Sequence, residues 1–198
     1  MHTDGLPDPK RRILEAAKEV FGANGYRGGS LNDIAKRSGY TRAGLLHHYP
    51  SKEAILLALL DLRDERLNVL RDPGSDDRGI AEVLEELPAS IGLILEDRVL
   101  IQLAHALTAE AAHPDHPARA WAARRHQLLR EMTTAAIRRS IDRGELPETT
   151  NPGALSAVIL GAVEGAEAQW LVNPAVDPVA CAETVVTLVH ALVDTHRA

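Results

Sequence analysis

Residues 30–52 read SLNDIAKRSGYTRAGLLHHYPSK, and this stretch decides the fold. Ser30 is a helix-capping residue with an acid, Asp33, three positions on, a pairing that satisfies free amides at a helix start. A helix over 31–37 follows, with Leu31, Ile34 and Ala35 turned inward. Ser38-Gly39-Tyr40 forms a turn, with glycine as the natural left-handed stop. Thr41 caps a second short helix over 42–48, which Pro50 prevents from continuing. Ser51 then caps a longer helix starting at Lys52. Two short helices joined by a glycine-containing turn make a helix-turn-helix. In that motif the second helix lies in the major groove with its first residues against base edges. Here those residues are Thr41, Arg42 and Ala43. An arginine there can offer paired donors to guanine or clamp a phosphate. His47 and His48 do not make a chelating pair, because adjacent helical residues diverge by about 100°.

Upstream, Ile13, Ala16, Val20 and Phe21 form one apolar stripe and predict a helix from about Lys10 to Asn24, with Gly25 as its stop. Downstream, the helix from Lys52 is expected to reach about Asp72, with Ile55, Leu56, Leu59 and Leu62 on one side. Asp72-Pro-Gly-Ser-Asp-Asp is a break. Helical periodicity then predicts segments near 77–96, 98–112, 117–143, 152–172 and 178–196. Pro88 bends the first of these, and Gly144 and Pro147 close the third. Asn151-Pro152 and Asp177-Pro178 are matching helix starts, a cap followed by proline at the first helical position. The expected fold is all-α with about nine helices. An N-terminal three-helix DNA-binding domain spans 1–52, and a helical ligand-binding and dimerisation domain spans 53–198.

Composition and charge narrow the function. The 198 residues carry a net charge of −6, but residues 1–52 have a net charge of +4 and the remainder −10. A basic head on an acidic body fits a partner made of nucleic acid. The basic side chains Arg11, Arg12, Lys36 and Arg37 beside the motif are candidates for phosphate contacts. The single cysteine, Cys181, excludes an internal disulfide and a multi-thiolate zinc site, and it reads as a core or interface residue. No apolar run reaches the roughly 20 residues that span a bilayer. The opening MHTDGLPDPKRR lacks the apolar segment of a secretory leader. A cytoplasmic protein without cofactor or metal is expected. His105, Glu110, His113 and His116 offer zinc-type ligands around Pro114, but an H-P-D-H stretch reads as an exposed loop. No G-x-S-x-G, H-E-x-x-H or phosphate loop is present, so no enzyme is expected; a small helical enzyme or metal-binding protein is the remote alternative.

The stretch RRILEAAKEVFGANGYRGGSLNDIAKRSGYTRAGLLHHYPSKEAILLALL, Arg11 to Leu60, resembles the TetR family of regulators. The match runs without gaps through the first apolar helix, G-Y, the Ser30 cap, D-I-A, the Gly39 turn, L-x-H-H-Y and P-S-K-E. The resemblance implies that Ser30 contacts phosphate, that Thr41, Arg42 and Ala43 face the groove, and that His47 points to the backbone. It implies that Tyr49 packs beneath the recognition helix, and that Lys52 anchors another phosphate with help from helix-start amides. Two positions depart from the family pattern. Gly44 stands where a threonine is usual and lets the backbone approach DNA, and Leu46 stands where a tyrosine is usual. The family also implies a homodimer on a palindromic DNA operator and release by a small-molecule inducer. An activator, or a regulator without a ligand, would share the same head.

In the C-terminal half, Leu155, Val158, Ile159, Ala162, Val163, Ala166 and Trp170 form one helical stripe. Val185, Val186, Val189 and Leu192 belong to another. Small residues such as Gly161 and Gly165 permit close helix approach. Two such hairpins from two subunits would make a four-helix dimer interface. The segments 152–173 and 178–196 resemble the C-terminal region of the BetI-type subgroup. Gln102, His105, Glu164 and Gln169, with Trp121 and Trp170 as walls, are the candidates for contacts to the inducer.

Overall fold

The computed structural model describes residues 8–66 and 77–197, and its helices follow the nine predicted segments, one of them divided. They are α1 (Pro9–Gly28), α2 (Leu31–Ser38), α3 (Arg42–His48), α4 (Lys52–Arg66), α5 (Ile80–Leu84), α6 (Leu87–Leu95), α7 (Arg98–Glu110), α8 (Arg119–Asp142), α9 (Pro152–Val172) and α10 (Pro178–Arg197). The expected extension of α4 towards Asp72, and most of the break after it, lie outside the described residues. The segment expected to bend at Pro88 is broken at Glu85 and Glu86, and Pro88 sits in the first turn of α6.

The helix starts follow local chemistry. Ser30 Oγ accepts the Asp33 N–H at 3.1 Å, Thr41 Oγ1 accepts that of Gly44 at 3.0 Å, and Ser51 Oγ accepts that of Ala54 at 3.0 Å. Asn151 Oδ1 accepts from Ala154 at 3.0 Å, and Asp177 Oδ1 accepts from Val179 at 2.9 Å. Each satisfies an amide that has no partner inside its helix. Asp8, which the sequence reading passed over, caps α1 in the same way through the Lys10 N–H. Gly25 takes a positive φ of 68° and breaks α1 as expected, but ψ is 169° and one further turn runs on to Gly28. That turn carries Tyr26 and Arg27.

Among the described residues, 8–65 and 98–121 form one compact unit; 66, 77–97 and 122–197 form another. In the first, α1 packs on α2, α3 and α7. Its buried residues are therefore more than one stripe, with Leu14 and Ala17 joining Ile13, Ala16, Val20 and Phe21. Gly22 sits so close to α7 that a Cβ there would lie 2.9 Å from Val99 Cγ1. In the second unit, α10 packs on α5, α6 and α9. The core there gathers Ile80, Leu84, Ile137, Leu146, Ile159, Val189 and Val193. A polar clasp holds the start of α5. Ser140 Oγ accepts the Ile80 N–H at 3.0 Å and donates to Glu145 Oε2 at 2.8 Å. Glu82 Oε2 accepts the Gly79 N–H at 2.7 Å and an Arg143 N–H at 3.2 Å.

Candidate nucleic-acid interface

The helix-turn-helix is held by what lies behind it. Gly39 ends α2 with φ 77° and ψ 20°, and its N–H bonds to the Ala35 carbonyl. Arg12 of α1 closes this turn. Its Nη2 donates to the Ser38 carbonyl at 2.9 Å, and its guanidinium lies 5.5 Å from the centre of the Tyr40 ring. Leu45 is fully buried on the inner side of α3. Gly29 approaches Phe21 so closely that a Cβ would fall 2.7 Å from the ring.

The outer side of α3 is open. Thr41, Arg42, Ala43 and His47 are exposed, and Gly44 and Leu46 are half-buried. Tyr49 is 9% exposed and ends α3, where its N–H reaches the Leu45 carbonyl at 3.0 Å. Burial, and then the Asp8 charge, hold its hydroxyl above the ordinary tyrosine range. A Cβ on Gly44 would lie 3.3 Å from Thr41 Oγ1, the oxygen that caps the helix.

Two expected phosphate contacts have more structure than their sequence suggests. The Ser30 hydroxyl donates to Asp33 Oδ2 at 2.5 Å while accepting the Asp33 N–H. Its proton is committed, so the donors left at this helix start are backbone amides. Lys52 Nζ donates to the Arg27 carbonyl at 3.2 Å and stands 4.6 Å above the Tyr26 ring. Partial burial draws this amine below the ordinary lysine range. Among the flanking basic residues, Arg37 pairs with Glu19 and Arg11 lies 3.9 Å from Glu15. Arg12 is the turn clamp, and Lys36 is exposed. The role of Arg12 carried no local signal, because its partner is 26 residues away.

The C-terminal candidates divide. Gln102 and Gln169 are exposed. The buried face of α7 passes through Leu100, Ile101, Leu103, Ala104 and Leu107, which turns residue 102 outward. His105 and Trp170 are half-buried, and Glu164 lies 3.6 Å from His126 Nδ1. Trp121 is 2% exposed, and its indole N–H is buried without a hydrogen-bond partner. None of the six candidates lines the open groove of about 660 Å³ along α8, whose walls include Gln127, Arg130, Thr134 and Arg138.

The two apolar stripes of α9 and α10 divide as well. Ile159, Ala166 and Val189 are buried within the subunit's own unit, and Leu155, Val185 and Val186 pack on that core. Val163 is half-buried. The outward apolar residues are Val158, Ala162 and Leu192, joined by Leu188 and Val172, which the stripes left out. By length and mean hydropathy both α9 and α10 would pass as membrane spans, a test that core helices of water-borne proteins also pass. Both nevertheless carry acids, Glu164 and Glu167 in one and Glu183 and Asp194 in the other.

Residues 13–59 match the family model described as bacterial regulatory proteins, tetR family. The chain is 27% identical over 166 residues to the HTH-type transcriptional regulator UidR of Escherichia coli K12, covering 83% of this chain and 82% of that one. Among solved structures it shares its fold with the transcriptional regulator FadR of Bacillus subtilis, solved with stearoyl-CoA. The TM-score is 0.73 at 21% identity, over 91% of this chain and 97% of that one. It shares the fold also with SmeT, the repressor of the Stenotrophomonas maltophilia multidrug efflux pump SmeDEF. There the TM-score is 0.72 at 22% identity, over 92% and 88% of the two chains.

Proposed function

We propose that this chain, which belongs to the TetR family of bacterial transcriptional regulators, is a homodimeric repressor released from a palindromic operator by a small molecule. The observation that carries the reading is α3. Its first turn, Thr41 to Ala43, is exposed above a buried support made by Leu45 and Tyr49. A helix presented in this way can enter the major groove with Arg42 at a base edge and Thr41 beside it. Ser30's helix start and Lys52 hold the flanking phosphates, and these contacts position the head without reading sequence. His47 faces the backbone, and Gly44 brings the main chain close to the groove.

Two heads are needed for a palindrome, and the outward apolar residues of α9 and α10 supply a face on which two copies can join. The inducer acts by binding better to a dimer whose heads are wrongly spaced, and operator affinity falls by that difference. FadR's stearoyl-CoA and SmeT's description as a repressor support this mode of action for a chain of the same fold. Trp121's unpartnered indole N–H is the best-supported inducer contact of the sequence-derived set. In this role residues 1–52 serve DNA binding, residues 53–198 serve ligand binding and dimerisation, and the protein works in the cytoplasm with no enzymatic activity.

The test is a gel-shift titration with footprinting on the DNA flanking the protein's own gene, at two salt concentrations. A protected palindrome that survives moderate salt is expected. Weak binding everywhere that salt abolishes would remove specific recognition from the reading, because phosphate contacts alone behave in that way.

A further inference from the structure

A chain of polar contacts runs from the corner after α7 to the first residue of α4, entirely within the first unit. At the corner, His116 Nδ1 accepts the Ala118 N–H at 3.2 Å. That bond leaves the ring proton on Nε2, which faces Glu110 Oε2 at 3.1 Å. His113 Nδ1 is turned onto the Asp115 N–H at 3.4 Å, so the two histidines shape a turn and do not converge on a metal. Arg119 Nη1 donates to the carbonyls of Ala111 and Ala112, both at 3.1 Å, and closes the end of α7. Glu110 is thus gripped by a ring that is only 12% exposed.

The other oxygen of Glu110 reaches the head. Oε1 lies 3.6 Å from Arg27 Nε, in the extra turn of α1 that follows Gly25. The carbonyl of the same Arg27 receives the Lys52 amine. Arg27's side chain is 83% exposed, and a pair of two mobile side chains in water contributes little. Here one partner is already fixed, so less freedom is lost when the pair forms.

We propose that Glu110 is a positioning residue for DNA binding. Held by His116, it steadies the last turn of α1 through Arg27 and so aims the Lys52 amine at DNA. The proposal rests on the reading of Lys52 as a phosphate anchor. A plain structural role would stabilise the α7 corner and leave Lys52 indifferent to it.

A double-mutant cycle on the full chain separates the two. Glu110→Asp keeps the charge and shortens the reach by one methylene; Lys52→Ala removes the anchor. Affinity is measured for the DNA that the wild-type protein protects, across a salt series, with thermal midpoints recorded alongside. Lys52→Ala lowers the salt slope by about one. Glu110→Asp weakens binding about threefold when Lys52 is present, and has no further effect when it is absent. Equal losses on both backgrounds, or no loss on either, would overturn the proposal. A wild-type protein that protects no DNA would remove the anchor reading itself, and the proposal with it.

Discussion

The two units leave opposite surfaces uncovered. Around α3 the large side chains Leu45 and Tyr49 turn inward, the first fully buried and the second nearly so, while Thr41, Arg42, Ala43 and His47 are exposed. On α9 and α10 the inner side is also filled, by Ile159, Val189 and Val193, yet Val158, Leu188 and Leu192 remain 67%, 65% and 42% exposed. A polar, cationic outer face is content in water and complements phosphate. An apolar outer face of this kind calls for another protein surface. The uncovered chemistry supports the proposal that one end of the chain meets DNA and the other a second copy.

The largest expected effect tests the apolar face. Val158→Asp with Leu188→Asp places like charges across the proposed interface, which costs several kcal/mol. Sedimentation velocity should show monomers at micromolar concentration, with helix content unchanged by circular dichroism. A persistent dimer would assign the interface elsewhere. Next comes Arg42→Ala, expected to weaken operator binding by about 1–3 kcal/mol with dimerisation intact, as read by gel shift. Unchanged affinity would take Arg42 out of the reading surface.

Gly29→Ala asks how tightly the head is built. Its φ of −68° suits any residue, so the whole cost is the collision with Phe21. A loss of about 1–2 kcal/mol in thermal or urea unfolding is expected. Gly44→Ala is smaller and opposite in sign. Alanine's helix propensity should stabilise α3 by up to ~1 kcal/mol, reduced by the tight approach to Thr41 Oγ1. Paired with a DNA titration, it separates a glycine kept for DNA approach from one that is merely tolerated.

The smallest effect concerns the second unit alone. The Gly79 N–H, then Arg143, hold Glu82 below the ordinary carboxylate range. A lowered folded-state value adds stability above the unfolded value and loses it as pH falls through the folded one. Glu82→Gln should therefore flatten the acid side of the stability profile, whether or not the chain is dimeric. An unchanged acid limb would mean that the clasp does not hold α5.

The helix-turn-helix was legible almost residue by residue. Its caps at Ser30, Thr41 and Ser51 act on amides three positions away, and the Gly39 turn needs only a left-handed residue. The same local chemistry marked Asn151 and Asp177. The stripes on α9 and α10 were less legible, because apolar residues occur on more than one side of each helix. Periodicity proposed Ile159 and Val189 for the interface, and packing put them in the core. Leu188, one position from Val189, is the residue left outside.

Residue order was enough to show that the chain is helical, where most of its helices start, and that its basic end carries a DNA-reading motif. Those properties depend on neighbours within a turn or two, so the order of residues suffices. The tertiary structure alone decided that Arg12 clamps the α2–α3 turn, that Gly22 and Gly29 admit Val99 and Phe21, and that Glu110 meets Arg27. Most of these partners are tens of residues apart along the chain, and even Phe21 meets Gly29 only across the break at Gly25. Burial and close approach are properties of packed helices, and no local pattern encodes them.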